Sequence, residues 1–283
     1  MKTISLITNT LAPHPNPLPP AGEGADAARR FGGVSRLYGA AGLAKLQAAH
    51  VVVIGIGGVG GWAAEALARN AVGCITLVDL DNIAESNVNR QIHALNDNFG
   101  KAKVTTMAER IRAINPTCIV REIEDFVTLE NVAKMLDFHS SVMIDCTDDV
   151  KAKIALALNC KATKSSLIMS GSAGGRLDPT RIKVADLAFV QGDKLLAKVR
   201  NQLRRDYSFP KASQTKKSAK FGIACVYSDE PVLRPETSNP DATCELDSTS
   251  ITGLNCAGYG SSVCVTAPFG FAMAQLAINL IIA

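Results

Sequence analysis

The chain has 283 residues, 47% of them hydrophobic and 20% charged, with a formal net charge of +4. That composition is ordinary for a soluble globular protein and excludes a chain too polar to build a core. At this length folding buries roughly 75% of the unfolded surface, enough for one large domain or two small ones. The mild positive charge permits a nucleic-acid partner without arguing for one, so the distribution of charge matters more than its sum.

The N-terminal segment carries Pro13, Pro15, Pro17, Pro19 and Pro20, a run that forms neither a helix nor an interior strand. Residues 1–28 are therefore expected to be disordered and to stand apart from the functional chain. The prolines and glycines fall where the apolar core of a secretory signal would continue. From residue 50 onward, β-branched runs alternate with helical patterns. Strands are expected at 51–55, 74–81, 119–125, 141–149 and 166–172, with helices at 60–71, 100–115, 129–136 and 150–163. The alternation implies βαβ crossovers and a Rossmann-like α/β fold, its mostly parallel sheet covered by helices on both faces.

Beyond Gly175 the rhythm changes. "RIKVADLA" reads as a strand, "DKLLAKVRNQLRRDY" as a basic amphipathic helix and 208–220 as a polar loop. The C-terminal "SSVCVTAPFGFAMAQLAINLIIA" is apolar for nearly long enough to span a bilayer, but Pro268, Gly270, Gln275 and Asn279 interrupt it. A strand followed by a buried helix is expected there, with no stable transmembrane insertion; contact with a membrane surface is the lesser alternative. None of the eight cysteines makes a CxxC pair, so no structural zinc is expected. Without a convincing secretory signal, the reading is a reduced, cytoplasmic protein.

In "GIGGVGG", Gly55, Gly57, Gly58 and Gly60 fit the spacing G-x-G-x-x-G between a strand and a helix. Such glycines permit a tight turn and let backbone N–H groups approach a phosphate at a helix N-terminus. Asp79 ends the next strand, where a carboxylate takes a ribose hydroxyl pair. On these residues alone a dinucleotide such as NAD is favoured. The residues beyond Asp79 are not those that hydride transfer needs. "LDNIAESNVNRQIHAL" places Asp81, Asn87, Asn89, Arg90 and Gln91 past the same strand, "GKAK" brings Lys101 and Lys103, and "DCTDD" brings Asp145, Asp148 and Asp149. Cations for a polyphosphate together with a carboxylate for Mg²⁺ make an ATP-site inventory.

From about Arg30 to Gly175 the chain resembles the ubiquitin-activating-enzyme-like superfamily of ThiF/MoeB/HesA type, on "GxGGxG", "LVDxD", "NxxRQ", "GKxK" and "DCTD". The resemblance implies ATP-dependent adenylation of a carboxylate in a homodimer. By that match Asp79 holds the ribose, Asn87, Arg90 and Lys103 the phosphates, and Asp148 the Mg²⁺. Gly55, Gly57, Gly58, Gly60, Asp81 and Gln91 complete the nucleotide site, and Arg36 reaches the partner subunit's ATP as an arginine finger. Sulfur-carrier activators of the superfamily typically bind zinc through two CxxC pairs, which this chain lacks.

"RFGGVSRLYG", "EDFVTLENV", "GSAGGRLDPTRIKVADLA", "FGIACVYSDEPVLRP" and "VTAPFGFAMA" are similar to the bacterial tRNA threonylcarbamoyladenosine dehydratases, over nearly all the chain after Arg29. The chain departs from them in its proline-rich start and in ending just after Ile282, where a polar tail is expected. The implied reaction adenylates the carboxylate of that nucleoside in tRNA, beside the anticodon, and then closes a ring. A basic stretch including Lys198, Arg200, Arg204, Arg205, Lys216 and Lys217 is the expected phosphate footprint. The alternative reading is an adenylyltransferase for the C-terminus of a ubiquitin-like sulfur carrier. No cysteine nucleophile is required, and Cys256 is the candidate if there is one. The resemblance also suggests association with a cysteine desulfurase or sulfur-acceptor system. The expected organisation is an adenylation domain over 29–175, extended over 176–283 by the basic helix and loop (194–220) and the apolar terminal helix.

Overall fold

The structure, a computed structural model, describes residues 23–211, 219–233 and 259–283. The prolines from 13 to 20, Lys216, Lys217 and Cys256 lie outside the described residues. The strands are β1 (His50–Ile54), β2 (Cys74–Val78), β3 (Ile119–Ile123), β4 (Val142–Asp145), β5 (Leu167–Ser170), β6 (Ile182–Asp186) and β7 (Ala224–Ser228). They form one sheet in the order β3-β2-β1-β4-β5-β7-β6, parallel throughout except where β6 runs antiparallel to β7. In the interior strand β1, Val51, Val52, Val53 and Ile54 are all buried. An unbroken apolar run is what a strand covered on both faces requires.

The helices are α1 (Glu23–Ala48), α2 (Gly60–Arg69), α3 (Lys103–Ile114), α4 (Val132–Met135), α5 (Val150–Thr163), α6 (Lys194–Asp206) and α7 (Val263–Ile282). One core lies between the sheet and α1, α2, α3 and α7, built on residues such as Leu46, Leu67, Met107 and Phe269. The other lies beneath α4, α5 and α6, on Val132, Leu156, Leu196 and Leu203. Strand order reverses at β1, whose neighbours are β2 and β4. The crevice beyond the carboxyl ends of these strands is where such sheets bind ligands.

Two expectations are corrected. Helix α1 begins at Glu23, inside the segment 1–28 expected to lack regular structure, and breaks at Gly39, whose φ of 76° is left-handed. It buries Phe31 before the break and Leu46 after it. The strand expected ahead of the terminal helix is instead the first turn of α7. Ser262 caps that turn by accepting the Cys264 N–H, and the helix continues through Pro268. Val265, Phe269, Met273 and Ala277 recur at helical spacing and are all buried, and this stripe outweighs the local β-propensity of the valines. Helix α7 is long and apolar enough to cross a membrane, yet half of its most apolar window is buried within the fold.

The packing of α7 on α2 depends on Gly270. A Cβ there would lie 2.5 Å from the Val59 carbonyl oxygen and 2.8 Å from Trp62 Cβ. Gly270→Ala would gain about 1 kcal/mol of helix propensity. Forcing the two helices apart should nevertheless leave a net loss of roughly 1–3 kcal/mol. Urea denaturation checks this, and an unchanged or raised midpoint would refute the close-approach argument.

Candidate active site

The site is built around the turn between β1 and α2. Gly55 has a φ of +85°, and a Cβ on it would sit 2.9 Å from the Cys146 backbone at the end of β4. A Cβ on Gly60 would stand 1.9 Å from the Gly55 carbonyl oxygen. These two positions therefore need glycine. Gly57 and Gly58 face outward, toward Gln91 and Arg90. Among the described residues the N–H groups of Gly57, Gly58 and Val59 donate to nothing, and no side chain caps α2. Free amides at a helix start are a ready-made anion cradle.

Asp79 follows β2 and ties it to this turn. Its Oδ2 accepts the Ile56 N–H at 2.6 Å and its Oδ1 accepts the Asp81 N–H at 2.9 Å. Burial pushes the Asp79 carboxyl above the usual range, against the opposing pull of Lys103. Lys103 opens α3 with its ammonium 2.6 Å from Asp81 Oδ2 and 3.8 Å from Asp79 Oδ1. Asn87 is buried, with Oδ1 on the Ala84 N–H at 3.1 Å. Arg90 is half-buried, and its Nη1 donates to Ser86 O at 2.8 Å and Asn89 Oδ1 at 2.9 Å. Desolvation lowers its pKa, while the charge of Asp148 raises it. The three aspartates of "DCTDD" divide. Asp145 pairs with buried Lys153 at 3.1 Å, and Asp149 caps α5. Half-buried Asp148 makes no hydrogen bond among the described residues.

The residues expected to form a nucleotide site thus converge on one edge of the sheet, with Arg36 the exception. Arg36 is exposed on α1 and makes no hydrogen bond or ion pair with any described residue. Sequence reasoning missed Thr266 and His93 and gave Asn89 no role. Thr266 comes from the first turn of α7, its Cβ 3.4 Å from where a Gly58 Cβ would lie. Of the six buried side-chain atoms without a hydrogen-bond partner among the described residues, four belong to Gln91, His93 and Thr266. Unpartnered buried polar atoms are rare, and their clustering beside the turn marks a place that takes polar company. Cys146 adjoins the turn, but burial raises its thiol far above the ordinary range, which disfavours a thiolate nucleophile.

In the basic helix, two of the arginines are engaged by the fold. Arg200 donates to Val190 O, and Arg204 donates to Pro210 O at 3.0 Å while lying over the Phe221 ring. Both guanidiniums thus satisfy loop carbonyls of the fold. Arg205 is exposed and paired with Asp206, and Lys198 is exposed without a partner among the described residues.

The ThiF family model matches residues 32–283. The chain is 45% identical over 256 residues to the tRNA threonylcarbamoyladenosine dehydratase of Escherichia coli K12, covering 90% of this chain and 94% of that one. The fold is similar to the crystal structure of the E. coli tRNA N6-threonylcarbamoyladenosine dehydratase in complex with ATP. That match has a TM-score of 0.78 at 44% identity and covers 90% of this chain and 94% of the other. The AMP complex of the same E. coli protein matches with a TM-score of 0.79 at 44% identity, over 90% and 94% of the two chains.

His93 gives the site a pH signature. Burial, helped by Lys103 and Arg110, lowers its pKa from 6.5 to about 4. Below pH 6.5 the unfolded chain takes up a proton that the folded chain refuses until about pH 4, so stability falls on acidification through that window. The loss attributable to this group from pH 7 to pH 5 is about 2 kcal/mol. His93→Phe should remove that part of the acid sensitivity in urea titrations at the two pH values. Equal losses in variant and wild type would exclude a neutral buried imidazole.

Proposed function

The chain belongs to the ThiF family, and on that premise we propose that it is an ATP-dependent tRNA threonylcarbamoyladenosine dehydratase. The observation that carries this is the open glycine turn with Asp79, Arg90, Lys103 and Asp148 around it, in a chain 45% identical to such a dehydratase over 90% of its own length and 94% of the other. The polyphosphate of ATP lies on the free amides of Gly57, Gly58 and Val59, with the ribose against Asp79, which keeps lone pairs beyond its two N–H contacts. Arg90 and Lys103 meet the phosphates, which compete with Asp81 for the Lys103 ammonium. Asn87, Asp81 and Gln91 complete the wall.

Asp148, whose carboxylate has no hydrogen-bond partner among the described residues, would be the protein ligand of a Mg²⁺ that comes with the nucleotide. When bound, the ion supplies charge neutralisation of the polyphosphate. The substrate carboxylate attacks the α-phosphorus, an O–P bond forms, and the bond to the β-phosphate breaks to release pyrophosphate. The neighbouring carbamoyl group then attacks the activated carbonyl, closing a ring as AMP leaves with the former carboxylate oxygen. Positioning and charge stabilisation by Arg90 and Lys103 are the protein's main contribution.

Arg36 extends this reading to a homodimer, as a finger on the partner subunit's ATP. Its exposure on α1 without a partner among the described residues, beside a Leu37 that is 73% exposed, supports that role. Lys198 and Arg205, with Lys216 and Lys217 beyond the helix, contact tRNA phosphates, while Arg200 and Arg204 hold the helix that presents them.

Incubation with ATP, Mg²⁺ and tRNA bearing threonylcarbamoyladenosine should give a nucleoside lighter by one water, with AMP and pyrophosphate released, as read by mass spectrometry. An unchanged nucleoside would overturn the assignment. Lys103→Ala and Arg90→Ala should each lower kcat/KM by about 10²–10³-fold, the scale of one lost charge-stabilising donor. Reversing Lys198 and Arg205 to glutamate should weaken tRNA binding and reduce its salt slope by about one per lost phosphate contact, leaving the KM for ATP unchanged. An unaltered salt slope would remove α6 from the tRNA interface.

A further inference from the structure

Asn89 has no role in that adenylation chemistry, yet it makes three hydrogen bonds that join Arg90 to the start of α7. Its Oδ1 accepts from Arg90 Nη1 at 2.9 Å, and its Nδ2 donates to Ser261 O at 2.7 Å. Its backbone oxygen accepts the Val263 N–H, the first amide of α7, at 3.1 Å. One residue therefore grips the arginine with one end and the entrance of the C-terminal helix with the other.

That entrance is itself anchored. The Gly260 carbonyl accepts the Gly175 N–H at 2.7 Å, and the Gly175 carbonyl accepts the Leu233 N–H at 2.8 Å. Gly175 has a φ of +70°, and a Cβ there would lie 2.5 Å from Val232. Next in the chain, buried Arg176 donates to Ser172 O at 2.8 Å and to Glu230 O, and lies 3.3 Å from Asp193. The lead-in to α7 is thus strapped to the loops beyond β5 and β7, and Asn89 fastens Arg90 to that strap.

The consequence falls on the guanidinium. Both hydrogen bonds of the Arg90 side chain use Nη1, while Nε and Nη2 donate to nothing among the described residues. A guanidinium is a rigid planar fork, so holding one nitrogen sets the direction of the others. Trp62 holds the backbone of the same residue, its Nε1 donating to Arg90 O at 3.0 Å. We propose that Asn89 is a positioning residue that, from its hold on the α7 entrance, orients the Arg90 guanidinium with its unpartnered nitrogens toward the nucleotide phosphates. This rests on the phosphate-binding role proposed for Arg90.

The test is a double-mutant cycle on the full chain, read as ATP affinity by titration calorimetry without tRNA. Asn89→Ala should weaken ATP about five- to tenfold, the scale of one charge-assisted hydrogen bond. The same change in an Arg90→Ala background should add less than about twofold, because Asn89 acts only through the arginine. Thermal midpoints of the variants control for folding, and Asn89→Ser replaces Asn89→Ala if the latter does not fold. If Arg90→Ala weakens ATP but Asn89→Ala binds like wild type, or if the two losses multiply in the double variant, the link is overturned while the arginine's role stands. If Arg90→Ala binds ATP as tightly as wild type, the phosphate role of the arginine falls, and the proposal with it.

Discussion

The Gly55 carbonyl oxygen stands where any other residue at position 60 would carry its side chain. This contact brings the end of β1 and the start of α2 together at backbone distance, and the Cys146 backbone closes the same gap from β4. With its interior filled by main chain, the turn presents the amides of Gly57, Gly58 and Val59 outward. Asp79 then locks the second strand on by accepting the Ile56 N–H. The anion cradle is therefore a consequence of packing three elements with no side chain between them, and a ligand finds the amides already aimed.

The far end of the chain completes this turn. Helix α7 approaches α2 through Gly270, sets Thr266 against Gly58, and is fastened at its first residue to Asn89. An N-terminal βαβ unit thus depends on a helix distant in sequence for its back wall. Gln91, His93 and Thr266 place polar atoms without a partner among the described residues along that wall. An enclosed polar atom without a partner costs about 1–3 kcal/mol. Core packing alone does not account for such atoms collected beside a ligand turn, whereas water or a bound nucleotide does.

Much of this was legible in the residues. Strands β1, β2, β4 and β5 follow apolar runs, and α5 coincides with its expected span because Asp149 supplies a cap. The site motifs were legible for a related reason: the glycine turn, Asp79 and "DCTDD" each sit at or just past a strand end, and parallel strands deliver their ends to one edge, while "GKAK" opens α3. What local patterns hid were features decided by distant contacts. The first turn of α7 reads as strand until the buried stripe on α2 is known. In the sequence Arg200 and Arg204 are two cations of a basic stretch, and only the fold shows that the carbonyls of Val190 and Pro210 meet them. Asn89 is one polar residue among several in "SNVNRQ", and only the position of Ser261 distinguishes it.

The aspartates of "DCTDD" show how structure sharpens a motif that composition leaves ambiguous. Asp145 is fully buried, pairs with an equally buried Lys153, and accepts the Thr147 N–H and hydroxyl. Breaking such a pair by removing one partner costs about 3–5 kcal/mol, so this carboxylate is bound to the fold. Asp149 accepts the Lys151 and Ala152 amides and starts α5. Between them, the strand end and the helix start fix the backbone on both sides of Asp148. That carboxylate has no fold partner among the described residues, and its charge acts on Arg90. On the proposed reading, this half-buried anion, held in place by its neighbours, is pre-organised for the cation of the nucleotide. The two flanking aspartates are what make the middle one available.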